Sequence, residues 1–207
     1  MKRLKWDQQK QESLCIFLYF IVTAVTVLLL ATRSSFLYPC NNWDDANSFF
    51  SVGKAIFNGK LPYREVFDQK GILLYFLYGL CYLISHTTFA GVFVMECILA
   101  FFDLVGIYRI LLLYMRRNTA LVLTPFPLAM VLASYSFYWG GAAEEICFSF
   151  LVWGLYFGLR YFKKEYPHKA MDSRTLVVAG VLAGVVANIK FTVLGFFFAW
   201  MMWVALS

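Results

Sequence analysis

Lys70-Gly71-Ile72-Leu73-Leu74-Tyr75-Phe76-Leu77-Tyr78-Gly79-Leu80-Cys81-Tyr82-Leu83-Ile84 is the stretch on which the reading of this chain turns. As a helix, its apolar part would extend roughly 20 Å at about 1.5 Å per residue, short of a hydrocarbon core roughly 30 Å thick. Whether it crosses a membrane sets the side of everything after it. If it crosses, Arg116-Arg117 and Lys163-Lys164 face outside, and the turns at 85–88 and 139–143 lie inside without a single Lys or Arg. If it is re-entrant or lies in the outer interface, Arg116-Arg117 and the loop 163–174 fall inside, together with Lys2, Arg3, Lys5 and Lys10. The positive-inside rule selects the second arrangement.

The rest of the chain suits that choice. Hydrophobic residues make up 61% of the sequence, charged residues only 14%, and mean hydropathy is +0.68. Apolar runs near 14–31, 89–115, 120–138, 146–162 and 176–206 are continuous instead of alternating. This pattern predicts an all-α polytopic membrane protein with about five transmembrane helices and disfavours a β-barrel. Residues 1–13 read as a cytoplasmic N-terminus, and 14–207 as a single membrane domain. Its outer side carries the long loop 32–88, with interfacial helices, and a short turn at 139–145. The first run is too long for a signal-peptide core, and no small-residue cleavage site follows it. The net charge of +6 sits in short basic clusters, which read as topology signals and not as a nucleic-acid surface. The last run continues to Ser207 with no polar exit, so the chain reads as the front part of something longer, truncated at its C-terminus.

The polar residues concentrate between 43 and 71. From Asp44 to Asn58, Phe49, Phe50, Val52, Gly53, Ile56 and Phe57 share one helical face, and Asn47, Ser48, Ser51, Lys54 and Asn58 lie largely opposite. Gly59 supplies a stop. This predicts a helix lying in the outer interface, with Asp44 and Asp45 at its N-terminal end. There the two acids serve either as caps that complement the helix dipole or as a general base at the membrane surface. Tyr63-Arg64-Glu65-Val66-Phe67-Asp68-Gln69-Lys70 follows. Lys70 either snorkels or holds the phosphate of a lipid-linked substrate, and Arg64 does likewise or pairs with Glu65 and Asp68.

Further acids and one lysine complete the inventory. Glu144 and Glu145 open a span on the side of the first loop, as helix N-terminal residues or as a second acidic site. Lys190 lies deep in the last run, roughly 21 Å from its cytoplasmic end at about 1.5 Å per residue, and needs a partner or a wet cavity. Asn188 precedes it by two residues. Glu96 and Asp103 share a face of the second span that must point into the bundle, and a carboxylate partner for Lys190 is expected. The five cysteines show no CxxC pair or metal spacing, and only Cys40 looks solvent-facing. With only His86 and His168, a His-based metal site has no support, and no P-loop, HExxH or Gly-x-Ser-x-Gly is present.

Trp43-Asp44-Asp45-Ala46-Asn47-Ser48-Phe49-Phe50, Gly53-Lys54, Gly59-Lys60-Leu61-Pro62-Tyr63-Arg64-Glu65 and Phe67-Asp68-Gln69-Lys70-Gly71-Ile72-Leu73-Leu74-Tyr75-Phe76 together resemble the first outer loop of the GT-C glycosyltransferases. The likeness is to the bacterial branch related to protein mannosyltransferases and the lipid A aminoarabinose transferase, which includes Gram-positive teichoic acid glycosylation proteins. The resemblance implies a partial GT-C bundle in a bacterial cell membrane. It implies transfer of a sugar from a polyprenyl-phosphate-linked donor to a cell-envelope glycan or lipid acceptor on the extracytoplasmic face, with no nucleic-acid partner. By that likeness Asp45 takes the catalytic position, because Asp-x-Asn-x-Phe-Phe fits Asp45 and Asn47. Lys70 takes the phosphate-contacting position, with Arg64, Asn47 and Lys190 as further substrate-binding candidates. Glu144 and Glu145 fall at a second outer acidic site. Ile72 replaces the usual proline. Gln69 stands where the aminoarabinose transferase has a glutamate associated with metal binding, so a divalent metal is left open and no residue is assigned as its ligand. The rival expectations are a transporter or flippase of lipid-linked sugars using Glu96, Asp103 and Lys190, and an inactive fragment.

Overall fold

The computed structural model describes residues 2–38 and 40–206, with side chains described from residue 10 onward. Its helices are α1 (Lys2–Ala31), α2 (Asp44–Phe57), α3 (Ile72–Ile84), α4 (Ala90–Leu111), α5 (Arg117–Leu123), α6 (Pro125–Leu132), α7 (Ala143–Lys164), α8 (Ser173–Ile189) and α9 (Gly195–Leu206), with a 3-10 turn at Phe191–Leu194. No strand occurs among the described residues, only one isolated bridge between Pro62 and Val66. The fold is all-α.

Among the described residues, two helices are long and apolar enough to cross a membrane: the Lys10–Ala31 part of α1, and α4. α7 matches α4 in length at 22 residues, but carries Glu144 and Glu145 in its first turn and Lys163 and Lys164 in its last. α5 and α6 are interrupted only at Thr124-Pro125, where the threonine hydroxyl donates to the Ala120 carbonyl at 2.7 Å. Large apolar side chains stay exposed along the bundle, among them Val22 and Leu30 on α1, Ile98 on α4 and Met130 on α6.

Side-chain meetings fix the helix directions. Phe20 faces Tyr108 and Ser34 meets Glu96, so α1 and α4 are antiparallel. Glu96 meets Gly141, and Arg109 lies over Trp153 and Tyr156, so α4 and α7 run parallel. One core cluster joins Phe20, Ala24 and Leu28 of α1 to Leu104 of α4 and to Leu128 and Leu132 of α6.

The last apolar run departs from the expected single span. α8 ends where Lys190 turns extended (φ −151°, ψ 100°), and the chain reverses. Phe197 then packs at Gly154, Trp200 at Gly158, and Trp203 stacks on Phe162 with centroids 4.3 Å apart, so α9 runs back parallel to α7. No proline or glycine announces this break. It places the Lys190 ammonium on Glu144 at the start of α7.

α2 and α3 form a cap over one end of the bundle. α3 meets α8 near Asn188, the turn before α7 through Tyr78, and the start of α4 through Cys81, where a Cβ on Gly91 would strike the Cys81 carbonyl. Its thirteen residues therefore lie across the ends of three helices, not alongside them. α2 packs backbone to backbone on α3: a Cβ on Gly53 would come within 2.6 Å of the Gly79 nitrogen and 2.7 Å of the Tyr75 carbonyl oxygen. Phe49, Val52, Leu74, Tyr75 and Tyr78 fill the space between the cap and Ile146, Val186 and Ile189. Burying a large apolar side chain of this kind contributes about 1.5–3 kcal/mol, so the cap is held by its own hydrophobic face.

Candidate functional site

The cap delivers the polar loop to one end of the bundle. α2 begins at Asp44 because the preceding Trp43 is extended and Asp44 and Asp45 sit in its first turn, where carboxylates complement the helix dipole. Neither acid makes a side-chain capping bond, and both are exposed. Asp45 lies within electrostatic reach of the Tyr78 hydroxyl, as do Glu96 and Glu145. Asn47 instead braces the start of the helix, donating to the Asn41 and Trp43 carbonyls at 2.9 Å each.

The segment after α2 is fixed by its own polar groups. Glu65 pairs with Lys60 at 3.6 Å and accepts from the Leu61 N–H at 2.7 Å. Asp68 accepts from the Ser48 hydroxyl at 3.1 Å and from the Gln69 N–H at 2.6 Å. Arg64 is thereby left exposed, with neither acid as its ion-pair partner. Tyr63, at φ +62°, donates its hydroxyl to the Lys70 carbonyl at 2.7 Å, and the Lys70 N–H donates to the Tyr75 hydroxyl at 2.8 Å. Burial, and then the neighbouring Asp68, push the Tyr63 phenol above its ordinary pKa of 10.0. The backbone of Lys70 is thus clamped, while its ammonium makes no ion pair among the described residues.

Gly71 seats this clamp on α8. A Cβ there would overlap the backbone carbonyl of Asn188, and the Asn188 side-chain oxygen accepts from the Leu73 N–H at 3.0 Å. Lys70 and Lys190 therefore flank a single close contact. Lys190 makes its ion pair with Glu144, and both lie beside Cys147. The expected carboxylate partner exists, but it is neither Glu96 nor Asp103.

Adjacent residues on a helix point about 100° apart, so Glu144 and Glu145 separate. Glu144 faces Lys190, while Glu145, only 6% exposed, turns inward toward Glu96, itself 1% exposed. Glu96 accepts from the Ser34 hydroxyl and from the Gly141 N–H at 2.6 Å; Tyr78 donates to the Gly141 carbonyl at 2.5 Å. This turn needs glycine twice. Gly140 and Gly141 sit at φ +76° and +73°, and a Cβ on Gly141 would strike the Tyr78 hydroxyl. Asp103 is buried near Ser149, on the stretch of α4 beyond Glu96. No Glu96–Asp103–Lys190 relay is assembled.

No protein-family model, curated protein or solved structure matches this chain. The chemistry of the site is read from its own residues. An exposed carboxylate on the cap itself (Asp45), an ammonium with no ion pair among the described residues (Lys70) and an ion pair (Glu144–Lys190) occupy one end of the helix bundle, where the cap is apolar on its inner side. Among the described residues, no three His, Cys, Asp or Glu side chains gather as a metal centre would require. Asp68, beside Gln69, is already engaged by Ser48 and the Gln69 N–H. The donor set does not fit a divalent metal at that place, and no step is assigned to one.

Sequence reasoning missed two features. The facing of Glu96 and Glu145 joins residues 49 positions apart. A second missed group is Arg33, whose guanidinium lies 4.9 Å from the Tyr138 ring, 4.8 Å from Trp139 and 5.8 Å from Tyr38. The basic pattern gave no signal for it, because Arg33 is a single charge just beyond the first apolar run.

Proposed function

We propose that this chain is part of a polytopic membrane glycosyltransferase of the GT-C type, working on a polyprenyl-phosphate-linked sugar at the extracytoplasmic face of a bacterial cell membrane. The observation that carries the reading is that the Gly71 contact on Asn188 brings the Lys70 clamp next to the Glu144–Lys190 pair, while Asp45 opens the capping helix at the same end of the bundle. Exposed apolar side chains along α1, α4 and α6 favour lipid as the surroundings. With the N-terminus cytoplasmic, α4 and α7 run inward and the cap lies outside. Arg116-Arg117 and the loop 163–174 then fall inside, as the positive-inside rule requires.

In this reading Asp45 accepts the proton of an acceptor hydroxyl as its oxygen attacks the anomeric carbon. The bond from that carbon to the phosphate oxygen breaks, its electron pair leaves with the polyprenyl phosphate, and the anomeric configuration inverts. Lys70 meets the charge that grows on the departing phosphate, where a preplaced cation stabilises the transition state more than the ground state. Arg64, exposed and on the same loop, is available to the same anion. Lys190 could assist only by exchanging Glu144 for the phosphate.

The test is transfer of label from a polyprenyl-phosphate-linked radioactive sugar, in proteoliposomes containing this chain, to cell-envelope acceptor. Asp45→Asn is expected to lower the rate by about 10²–10⁴-fold, the usual contribution of a positioned base. Lys70→Ala should lower kcat as well. Transfer undiminished in both variants contradicts the assignment.

A further inference from the structure

We infer that the Arg33 cavity is a second binding site, for a hydroxyl-bearing phosphate ester such as a glycerol or sugar phosphate. The cavity measures about 410 Å³ and lies where the chain leaves α1, between the start of α2 and the start of α4. Arg33, Asn47 and Thr87 line it together with Tyr38, and neither Asp44 nor Asp45 does.

Its walls are already largely satisfied, and what remains is specific. The Ser34 hydroxyl is committed to Glu96, the Ser35 hydroxyl to the Leu29 carbonyl at 3.1 Å, and the Thr88 hydroxyl to Ser85 at 2.6 Å. The Asn41 amide donates to the Trp139 carbonyl at 2.7 Å, and the Arg33 N–H donates to the Tyr138 carbonyl at 3.0 Å. These bonds tie Arg33 and Asn41 to Tyr138 and Trp139 and hold the aromatic frame in place. Within it, the Arg33 guanidinium has no carboxylate partner among the described residues, and its buried Nε–H has no protein acceptor.

A guanidinium offers its faces to aromatic rings and its edge to oxyanions. Here the rings of Tyr38, Tyr138 and Trp139 surround the guanidinium without accepting its N–H groups in their planes, and the unpartnered Nε–H shows that donors remain for a ligand. A tetrahedral phosphate oxygen pair suits that edge as a bidentate acceptor. The side-chain oxygen of Asn47 is unused, since both of its side-chain hydrogen bonds are made by the amide nitrogen. Thr87 is exposed at the rim with its hydroxyl uncommitted. An acceptor, a hydroxyl and a guanidinium lining one cavity match a phosphate whose ester group carries hydroxyls, and do not match a bare hydrocarbon or a cation. The site stands independently of Asp45 and Lys70, and of whether the chain transfers sugars.

The test is calorimetric titration of the full chain in phosphatidylcholine nanodiscs with sn-glycerol 3-phosphate at constant ionic strength, with glycerol and sodium chloride as controls. Saturable binding of the phosphate ester and none of glycerol is expected. Arg33→Ala should weaken binding by about tenfold or more, and Arg33→Lys by a smaller factor, since the ammonium keeps the charge and loses the fork. A second arm replaces part of the lipid with phosphatidylglycerol. Weakened soluble binding there assigns the site to a lipid headgroup, and unchanged binding assigns it to a soluble or polymeric ester. If the wild-type chain binds glycerol 3-phosphate no better than glycerol in both arms, the inference fails. It also fails if Arg33→Ala, with an unchanged helical spectrum, binds like wild type. Should Arg33→Ala fail to fold, the wild-type discrimination and the Arg33→Lys series decide on their own.

Discussion

Gly71→Ala puts the seat of Lys70 to a direct test. Gly71 adopts φ −75° and ψ 153°, a conformation open to any residue, so alanine brings no backbone strain. The added methyl would instead overlap the carbonyl oxygen of Asn188, a backbone atom that cannot rotate aside. Either α3 or the end of α8 must move. Overpacking of this kind costs about 1–3 kcal/mol, and losing the bond from the Leu73 N–H to Asn188 costs about 0.5–1.5 kcal/mol more. For a domain of this size, about 2–4 kcal/mol lowers Tm by roughly 5–15 °C. The control is Gly184→Ala in the middle of α8, where a Cβ meets nothing within 4 Å. There the better helix former stabilises by up to about 1 kcal/mol. Thermal unfolding of both variants in detergent, followed by circular dichroism, should show opposite signs. A Gly71→Ala protein as stable as wild type would refute the packing of the Lys70 clamp on α8.

Other outcomes follow from the same geometry. Tyr78→Phe removes a 2.5 Å bond and leaves the buried Gly141 carbonyl without that donor, so denaturant unfolding should show a loss of about 1–3 kcal/mol. A double-mutant cycle on Glu144→Gln and Lys190→Met should give a coupling of only about 0.5–1 kcal/mol, because the Glu144 side chain is 43% exposed. Because the folded chain raises the Tyr63 phenol, stability linked to that group is fully present below pH 10.0 and declines as pH rises toward the raised value. Ultraviolet titration should show this phenol ionising above its ordinary range, and Asp68→Asn should move it back down.

Much of the cap was legible in the sequence. The amphipathic spacing of Phe49, Val52 and Gly53 and the stop at Gly59 mark α2, and the short run bounded by Gly71 and Ser85 coincides with α3. Local periodicity and turn residues decide such elements, and both are written in neighbouring positions. The reversal at Lys190 was not legible, because Ile189-Lys190-Phe191 contains no breaker. It coincides with tertiary contacts, the ion pair to Glu144 46 residues away and the packing of α9 on α7, that no local pattern records. The partition of Glu144 from Glu145 follows from helix geometry, but Glu96 as the inward partner depends on the parallel packing of α4 on α7. Cys15, expected inside an apolar run, is exposed along with Cys40, since α1 packs only one of its faces on the bundle. Two of the three rings of the Arg33 frame, Tyr138 and Trp139, come from about a hundred positions downstream, beyond any local pattern.

Sided labelling tests the central claim most directly, that the cap and its charged residues lie together on the outer face. In a chain freed of its five native cysteines, single cysteines replace the exposed residues Asp44, Arg64, Arg116 and Lys169. Intact cells are then treated with a membrane-impermeant maleimide. Cysteines at 44 and 64 should label in intact cells, and those at 116 and 169 only after lysis. Labelling at 116 or 169 in intact cells, or protection at 44 and 64, would contradict the account.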